Sequence, residues 1–220
     1  MSARAPSDGR GVDGRPGGRH AVIVASGGAN IASLQYALQR LEVDSTVSAD
    51  ADFIRAATHV ILPGVGAAAN AMARLRDTGL DALIPTLRQP VLGICLGMQL
   101  LSDASAEGDT PCLGIIPGRA ARFEPAQDRP VPHMGWNTLC ITRPCPLLAG
   151  LADGDYGYFV HSYALPVSAA TIASCGYGDA FAACVQWRNF YGAQFHPERS
   201  ARAGRQLLQN FLALQASPVP

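Results

Sequence analysis

Lysine is absent from this chain, and all seventeen cations among its 220 residues are arginines. That excludes Schiff-base chemistry and a lysine phosphate clamp, and with them a Walker-type nucleotide loop, which depends on its lysine. Glutamate is scarce, with four in the whole sequence, and charged residues reach 15% where an average soluble protein has ~25%. No apolar run approaches the ~20 residues that a bilayer-spanning helix needs. No Cys-x-x-Cys pair occurs, and the step from Cys140 to Cys145 does not suit a zinc knuckle. No metal or cofactor is expected. The seventeen acids cancel the seventeen cations, so no global basic field exists to hold nucleic acid or an anionic membrane.

What is present is a large apolar fraction, 48% hydrophobic residues, enough to bury a sizeable core. The length suits one domain. Residues 1–19 are rich in Gly, Arg and Pro with no hydrophobic centre, so they read as a flexible extension and not as a secretory signal. Two Asp and five Gly in that stretch also spoil the amphipathic helix of a mitochondrial targeting peptide. The ordered domain is expected over 20–217. A chain of this size does not need its six cysteines as disulfide staples, which points to a reducing, cytoplasmic setting.

Three short β-branched runs, 20–25, 59–64 and 90–95, each end in a glycine-bearing or cysteine-bearing turn and then a helical pattern. The first runs into Ser26-Gly27-Gly28 and a helix over 30–41, with Ile31, Leu34, Leu38 and Leu41 at helical spacing. The second leads to a helix near 67–76, and the third to a helix from Leu96. Buried strands alternating with helices predict a mostly parallel central sheet covered on both faces. Beyond Pro111 the pattern changes to short strands, Pro turns and aromatics, with strands expected over 119–124, 136–140, 158–160, 180–185 and 191–195. That predicts an added antiparallel portion in the C-terminal half. A closing helix over 202–215 turns Leu207, Leu208, Phe211 and Leu212 inward.

The sharpest chemical signal is Gly93-Ile94-Cys95-Leu96-Gly97, a strand feeding a helix through a Gly-x-Cys-x-Gly turn. This is the logic of a nucleophile elbow with sulfur in place of oxygen. The glycines permit the sharp turn, and a helix N-terminus favours thiolate. Taken alone, a buried structural cysteine fits the same pattern. The second signal is His196-Pro197-Glu198 at another strand end. A cysteine nucleophile needs a base, and the base needs a group to orient it and stabilise its charge. A lone His-x-Glu is usually a surface pair, but Cys first and His-x-Glu about a hundred residues later is what a triad on a parallel sheet requires. The third is Pro63-Gly64-Val65-Gly66, whose amides, with that of Leu96, could hold a developing oxyanion.

The segments GICLGMQLL (93–101), PGVG (63–66) and GAQFHPERS (192–200) resemble the three signatures of class I glutamine amidotransferases. Two more, PHMGWN (132–137) and YFVHSY (158–163), resemble the branch of that family that supplies ammonia for imidazole glycerol phosphate synthesis. The resemblance runs over 20–215 and implies the family's flavodoxin-like layering. It implies a Cys-His-Glu triad of Cys95, His196 and Glu198 that hydrolyses the side-chain amide of glutamine. Gly64, Val65, Gly66 and Leu96 match the oxyanion site. Gln99, Ser162 and Tyr163 match the glutamine pocket. Met134, Trp136, Asn137, Tyr158 and Arg199 match the face toward a (β/α)8 synthase subunit, with which the family forms a heterodimer. That subunit makes imidazole glycerol phosphate and AICAR in histidine biosynthesis.

The chain departs from the family at four places. Ala25 replaces an acidic residue after the first strand, and Ala68 stands where the oxyanion turn usually continues with Phe. Arg199 replaces a Lys that pairs with the partner, which keeps the charge but not the geometry. The fourth departure is the N-terminal extension. The same chemistry feeding another synthase, as in a surface-sugar pathway, and an unassisted cysteine hydrolase are the alternatives.

Overall fold

A computed structural model describes residues 20–25 and 30–216. The extension expected over 1–19 and the Ser26-Gly27-Gly28 turn therefore lie outside the described residues. In the first half β1 (His20–Val24), α1 (Ile31–Gln39), β2 (Asp44–Ser48), α2 (Ala51–Ala56), β3 (His59–Gly64), α3 (Ala68–Asp77), α4 (Leu80–Leu83), β4 (Val91–Cys95) and α5 (Leu96–Leu100) follow one another. The second half is mostly strand: β5 (Ser102–Ser105), β6 (Thr110–Pro111), β7 (Ile116–Arg122), β8 (His133–Thr138), β9 (Cys140–Ile141), β10 (Tyr156–His161), β11 (Tyr163–Ala164), β12 (Thr171–Tyr177), β13 (Asp179–Trp187) and β14 (Phe190–Ala193). Helix α6 (Ala201–Ala213) ends the described chain.

The main sheet has eight strands in the order β2-β1-β3-β4-β14-β13-β12-β9. From β2 to β14 neighbouring strands run parallel, and β13, β12 and β9 continue antiparallel. This is the mostly parallel sheet with an antiparallel C-terminal portion that the sequence predicts. Strands β1, β3 and β4 lie inside the sheet, so both of their faces must be apolar. Val22 and Val60 face one core with Met72, Leu75 and Leu100, while their neighbours Ile23 and Ile61 face the other with Leu38, Phe159, Leu207 and Phe211. The alternation follows from the two-residue period of a strand. Strand β14, the last in sequence, lies beside β4 near the middle of the sheet. It thereby carries the segment after Ala193 to the same sheet end as the end of β4. In open α/β sheets that end is where ligands bind.

Several elements differ from expectation. The strand expected over 119–124 lies at Ile116–Arg122, and the one over 136–140 divides into β8 and β9. Strand β2 (Asp-Ser-Thr-Val-Ser) has no apolar alternation because it is the polar edge of the sheet. Among the described residues, no helix is long and apolar enough to cross a membrane.

Helix α5 is held against β3 and β4 at glycines. A Cβ at Gly97 would strike the Leu62 carbonyl, and one at Gly93 would lie 2.7 Å from the Gly97 oxygen and the Met98 nitrogen. Both clashes are with backbone, which cannot swing aside. Gly97→Ala is therefore expected to lower the unfolding free energy by ~3 kcal/mol, the upper end of overpacking costs. Gly66→Ala meets open space but a φ of +84°, and should cost about 1–2 kcal/mol. Urea titrations of both variants check this, and a Gly97→Ala protein as stable as its parent would disprove the pinning of α5.

Candidate active site

Cys95 closes β4 and opens α5 with φ +53° and ψ −115°, a conformation that a residue with a side chain rarely adopts. The turn is tight because α5 lies directly against the strand it leaves. Cys95 lines a cavity of about 310 Å³. Val65, Gly66, Leu96, Gln99, Ser162 and Tyr163 line it as well. Gly64 pairs in register with Cys95 across β3 and β4, and a Cβ there would lie 2.7 Å from the Gly97 nitrogen.

His196 follows β14 and also lines the cavity. Its Nδ1 lies 2.8 Å from Glu198 Oε1, and the two side chains are 4% and 2% exposed. Pro197 begins the short 3-10 turn Pro197–Arg199 that brings the carboxylate back to the ring. Burial opposes a charge on His196, but hydrogen bonds to Cys95 and Glu198 outweigh it, and the imidazole pKa is raised to about 10. Hence Nδ1 donates to Glu198 and Nε2 is the atom available to Cys95. The Ser200 hydroxyl fixes the loop by donating to the His196 carbonyl at 2.7 Å and accepting from the Tyr158 amide at 2.9 Å. The His196 amide in turn donates to the Tyr158 carbonyl at 2.9 Å. The Cys95, His196 and Glu198 side chains are thus brought together from residues a hundred apart in sequence.

Gln99 is buried, and its amide nitrogen donates to the Tyr163 carbonyl at 2.7 Å and to Gln194 Oε1 at 3.0 Å. Gln194 Nε2 lies 3.8 Å from Cys95 Sγ. Two residues here went unnoticed in the sequence. Gln194 lies within the 192–200 segment, and an amide two residues before His196 was the available signal. Glu107 also lines the cavity, and its Oε2 accepts from the Ala68 amide at 2.8 Å. Its scarcity as one of four glutamates was a signal, but only the fold shows that it meets α3.

The expected partner face lies on the paired strands β8 and β10, where Tyr158 stands opposite Trp136. Met134 is 63% and Trp136 53% exposed. The Trp136 and Tyr158 rings meet edge-on at 5.8 Å, and the Arg199 guanidinium lies 4.5 Å above the Tyr158 ring. Asn137 differs from the rest: its amide nitrogen turns inward to the Gly176 carbonyl at 2.9 Å and His133 Nε2 at 3.3 Å. Ala25, where the family has an acid, is exposed and donates its amide to the Ser48 carbonyl at 2.9 Å.

The family profile of glutamine amidotransferase class-I matches residues 23–214. Among curated relatives, the imidazole glycerol phosphate synthase subunit HisH of Xylella fastidiosa (strain Temecula1) is 52% identical over 195 residues, which cover 89% of this chain and 98% of the relative. The protein of the same name from Xanthomonas campestris pv. campestris (strain 8004) is 52% identical over 192 residues, covering 87% and 96%. Of solved structures, a glutamine amidotransferase superposes with a TM-score of 0.69 at 19% identity over 88% of this chain and 97% of its own. PurLQS from Thermotoga maritima gives a TM-score of 0.67 at 17% identity over 89% of this chain and 98% of its own. At that identity the structures speak for the fold alone.

The raised pKa of His196 has a consequence for stability. An unfolded His titrates near ~6.5, below the folded value of about 10. Its contribution is therefore complete below pH ~6.5 and is lost as pH rises toward about 10. Urea midpoints are expected to fall across that window. Glu198→Gln removes one of the groups that raise the pKa, so its midpoint should fall less steeply over the same pH range. Equal slopes in parent and variant would refute the coupling.

Proposed function

We propose a function from one premise: the chain belongs to the class I glutamine amidotransferase family. It is a glutamine amidotransferase subunit. In our reading it hydrolyses the side-chain amide of glutamine and passes the ammonia to a (β/α)8 synthase subunit that makes imidazole glycerol phosphate and AICAR in histidine biosynthesis. The observation that carries the chemistry is the buried His196–Glu198 pair beside Cys95 at the cavity. The pathway and the heterodimeric partner rest on the names and identity of the HisH relatives.

Cys95 Sγ attacks the carboxamide carbon of glutamine. The oxygen that gains charge is received by amides of the 64–66 turn and of Leu96, donors each worth ~10²–10³ in rate when correctly aimed. The His196 imidazolium gives its Nε2 proton to the nitrogen, the C–N bond breaks, and ammonia leaves a Cys95 thioester. Water then attacks the thioester, His196 takes up its proton, and glutamate leaves with the thiolate restored. Glu198 stays ionised throughout and orients the ring. Gln99, Ser162 and Tyr163 bound the pocket that holds the amino-acid end of glutamine, and the Glu107 carboxylate offers a counter-charge for its ammonium group. Met134, Trp136, Tyr158 and Arg199 form the docking face, with Asn137 acting from behind it. Residues 20–217 are one amidotransferase domain in this reading, supported by the family match over 23–214. A reducing cytoplasmic setting is supported by six free cysteines among the described residues.

Cys95→Ala should abolish glutamine-dependent synthesis by the complex while leaving ammonia-dependent synthesis intact, since only the ammonia source is lost. Assays with glutamine and then with an ammonium salt decide it, and loss of both would make Cys95 structural. Docking should also control the rate. Gly66 lies at φ +84°, and a peptide there can present either its carbonyl or its amide to the cavity. The isolated subunit is expected to hydrolyse glutamine at least ~10²-fold slower than the complex, with Arg199→Glu shifting the partner titration to higher concentration. A full rate without partner would sink the switch.

A further inference from the structure

Two buried histidines have no part in the hydrolysis so far described. His133 on β8 and His161 at the end of β10 are cross-strand partners in register, with His133 Nδ1 3.3 Å from His161 Nε2. The ring of His133 is stacked between Tyr177 at 4.0 Å and Phe159 at 5.0 Å. Phe123 and Phe181 meet both imidazoles edge-on or tilted. The titratable groups that face the pair are Tyr177 and His196. Burial lowers the pKa of His133 to about 4 and, as the main cause, that of His161 to about 3.

Directionality follows from the partners. A carbonyl can only accept, so His161 Nδ1, 2.9 Å from the Tyr163 oxygen, carries a proton. A neutral ring then has a bare Nε2, which must accept from His133 Nδ1. His133 Nε2 is bare in turn and accepts from the Asn137 amide at 3.3 Å. That amide is oriented independently, because its oxygen accepts from the Thr138 backbone at 2.8 Å and its nitrogen donates to the Gly176 carbonyl. The Tyr163 carbonyl where the chain ends is also the acceptor for Gln99. His161 and Tyr163 line the cavity with Gln99, while His133 and Asn137 do not.

We propose that Asn137, His133 and His161 form a one-way hydrogen-bond relay that positions the Tyr163 carbonyl and Gln99 for glutamine binding, tying the β8 face to the pocket. This rests on the reading of the cavity as a glutamine site. His133 and His161 are positioning residues, since the bond-making atoms belong to Cys95 and His196. The relay bears on how well glutamine is held, and so on KM more than on kcat.

Histidine 15N spectra of the full-length protein test the protonation pattern directly. Both rings should be neutral with the proton on Nδ1 from pH 5.5 to 8, and a ring protonated on Nε2, or titrating in that range, overturns the relay. Kinetics with the synthase partner present supply the second arm. His161→Phe and His133→Phe keep ring volume, and each should raise the glutamine KM fivefold or more with kcat within threefold of the parent. His161→Asn retains a donor near the Nδ1 position but loses the atom that His133 reaches, so its KM should lie between those of the parent and His161→Phe. A KM rise below fivefold in either Phe variant, or a parent-like KM in His161→Asn, overturns the proposal. Should the Phe variants not fold, the spectra of the parent decide. A parent that hydrolyses no glutamine with its partner defeats the functional reading, while the spectra still judge the relay separately.

Discussion

The contact between Gly97 and the Leu62 carbonyl holds the start of α5 against β3 at a separation that excludes a methyl group, and the position of Cys95 follows from it. With the helix pinned, the chain must turn from β4 into α5 at one residue, and that residue takes φ +53°. Such strain costs of order 1–3 kcal/mol and persists only where the surroundings over-determine it. Gly93 and Gly97 supply that determination by packing backbone on backbone. Strand β14 then needs only its parallel register with β4, Ala193 opposite Ile94, to bring His196 to the thiol. The site is assembled by close packing at two glycines and by sheet order.

Three buried imidazoles near the cavity then take opposite protonation states. His196 meets a carboxylate and a thiol, and their hydrogen bonds overcome the cost of burying its charge. His161 and His133 meet carbonyl, amide and aromatic rings, so desolvation prevails and both stay neutral. His196 and His161 interact unfavourably as cations, so a neutral His161 also favours the proton on His196. One ring is thus favoured in its charged form while its two neighbours are held uncharged.

Much of this was legible in the sequence. Runs such as 20–24 and 59–62 read as buried strands, and the Gly-x-Cys-x-Gly and His-x-Glu patterns marked side chains that the fold brings together at one cavity. What escaped notice has physical causes. Strand β2 is polar because it is an edge, and α2 is six residues whose start depends on Asp50 capping the Asp52 and Phe53 amides. Strand β12 carries Ser174 and Gly176 among its apolar residues, so its pairing with β13 and β9 was invisible locally. Gln194 and Glu107 act through partners ninety-nine and thirty-nine residues away. Asn137 was expected to face outward, but Gly176 of β12, a strand of the other sheet, gives its amide an inward acceptor.

The surface that the resemblance assigns to a partner and the His196 loop share backbone. Tyr158 exposes part of its ring to Trp136 and Arg199, while its own amide and carbonyl are bonded to Ser200 and His196. A shift of β10 by a fraction of an ångström must therefore move the His196 loop or break a buried hydrogen bond, and leaving such a group unpaired costs about 1–3 kcal/mol. Strand β8 is paired to β10 along six residues, so a force on Trp136 is carried into the same strand. That rigidity gives two routes from one face: through Tyr158 to His196, and through Asn137 and the paired histidines to Tyr163. A protein docking here would act on a two-stranded sheet whose far edge is already bonded to the site, so no separate moving lid is required for the surface to influence the chemistry.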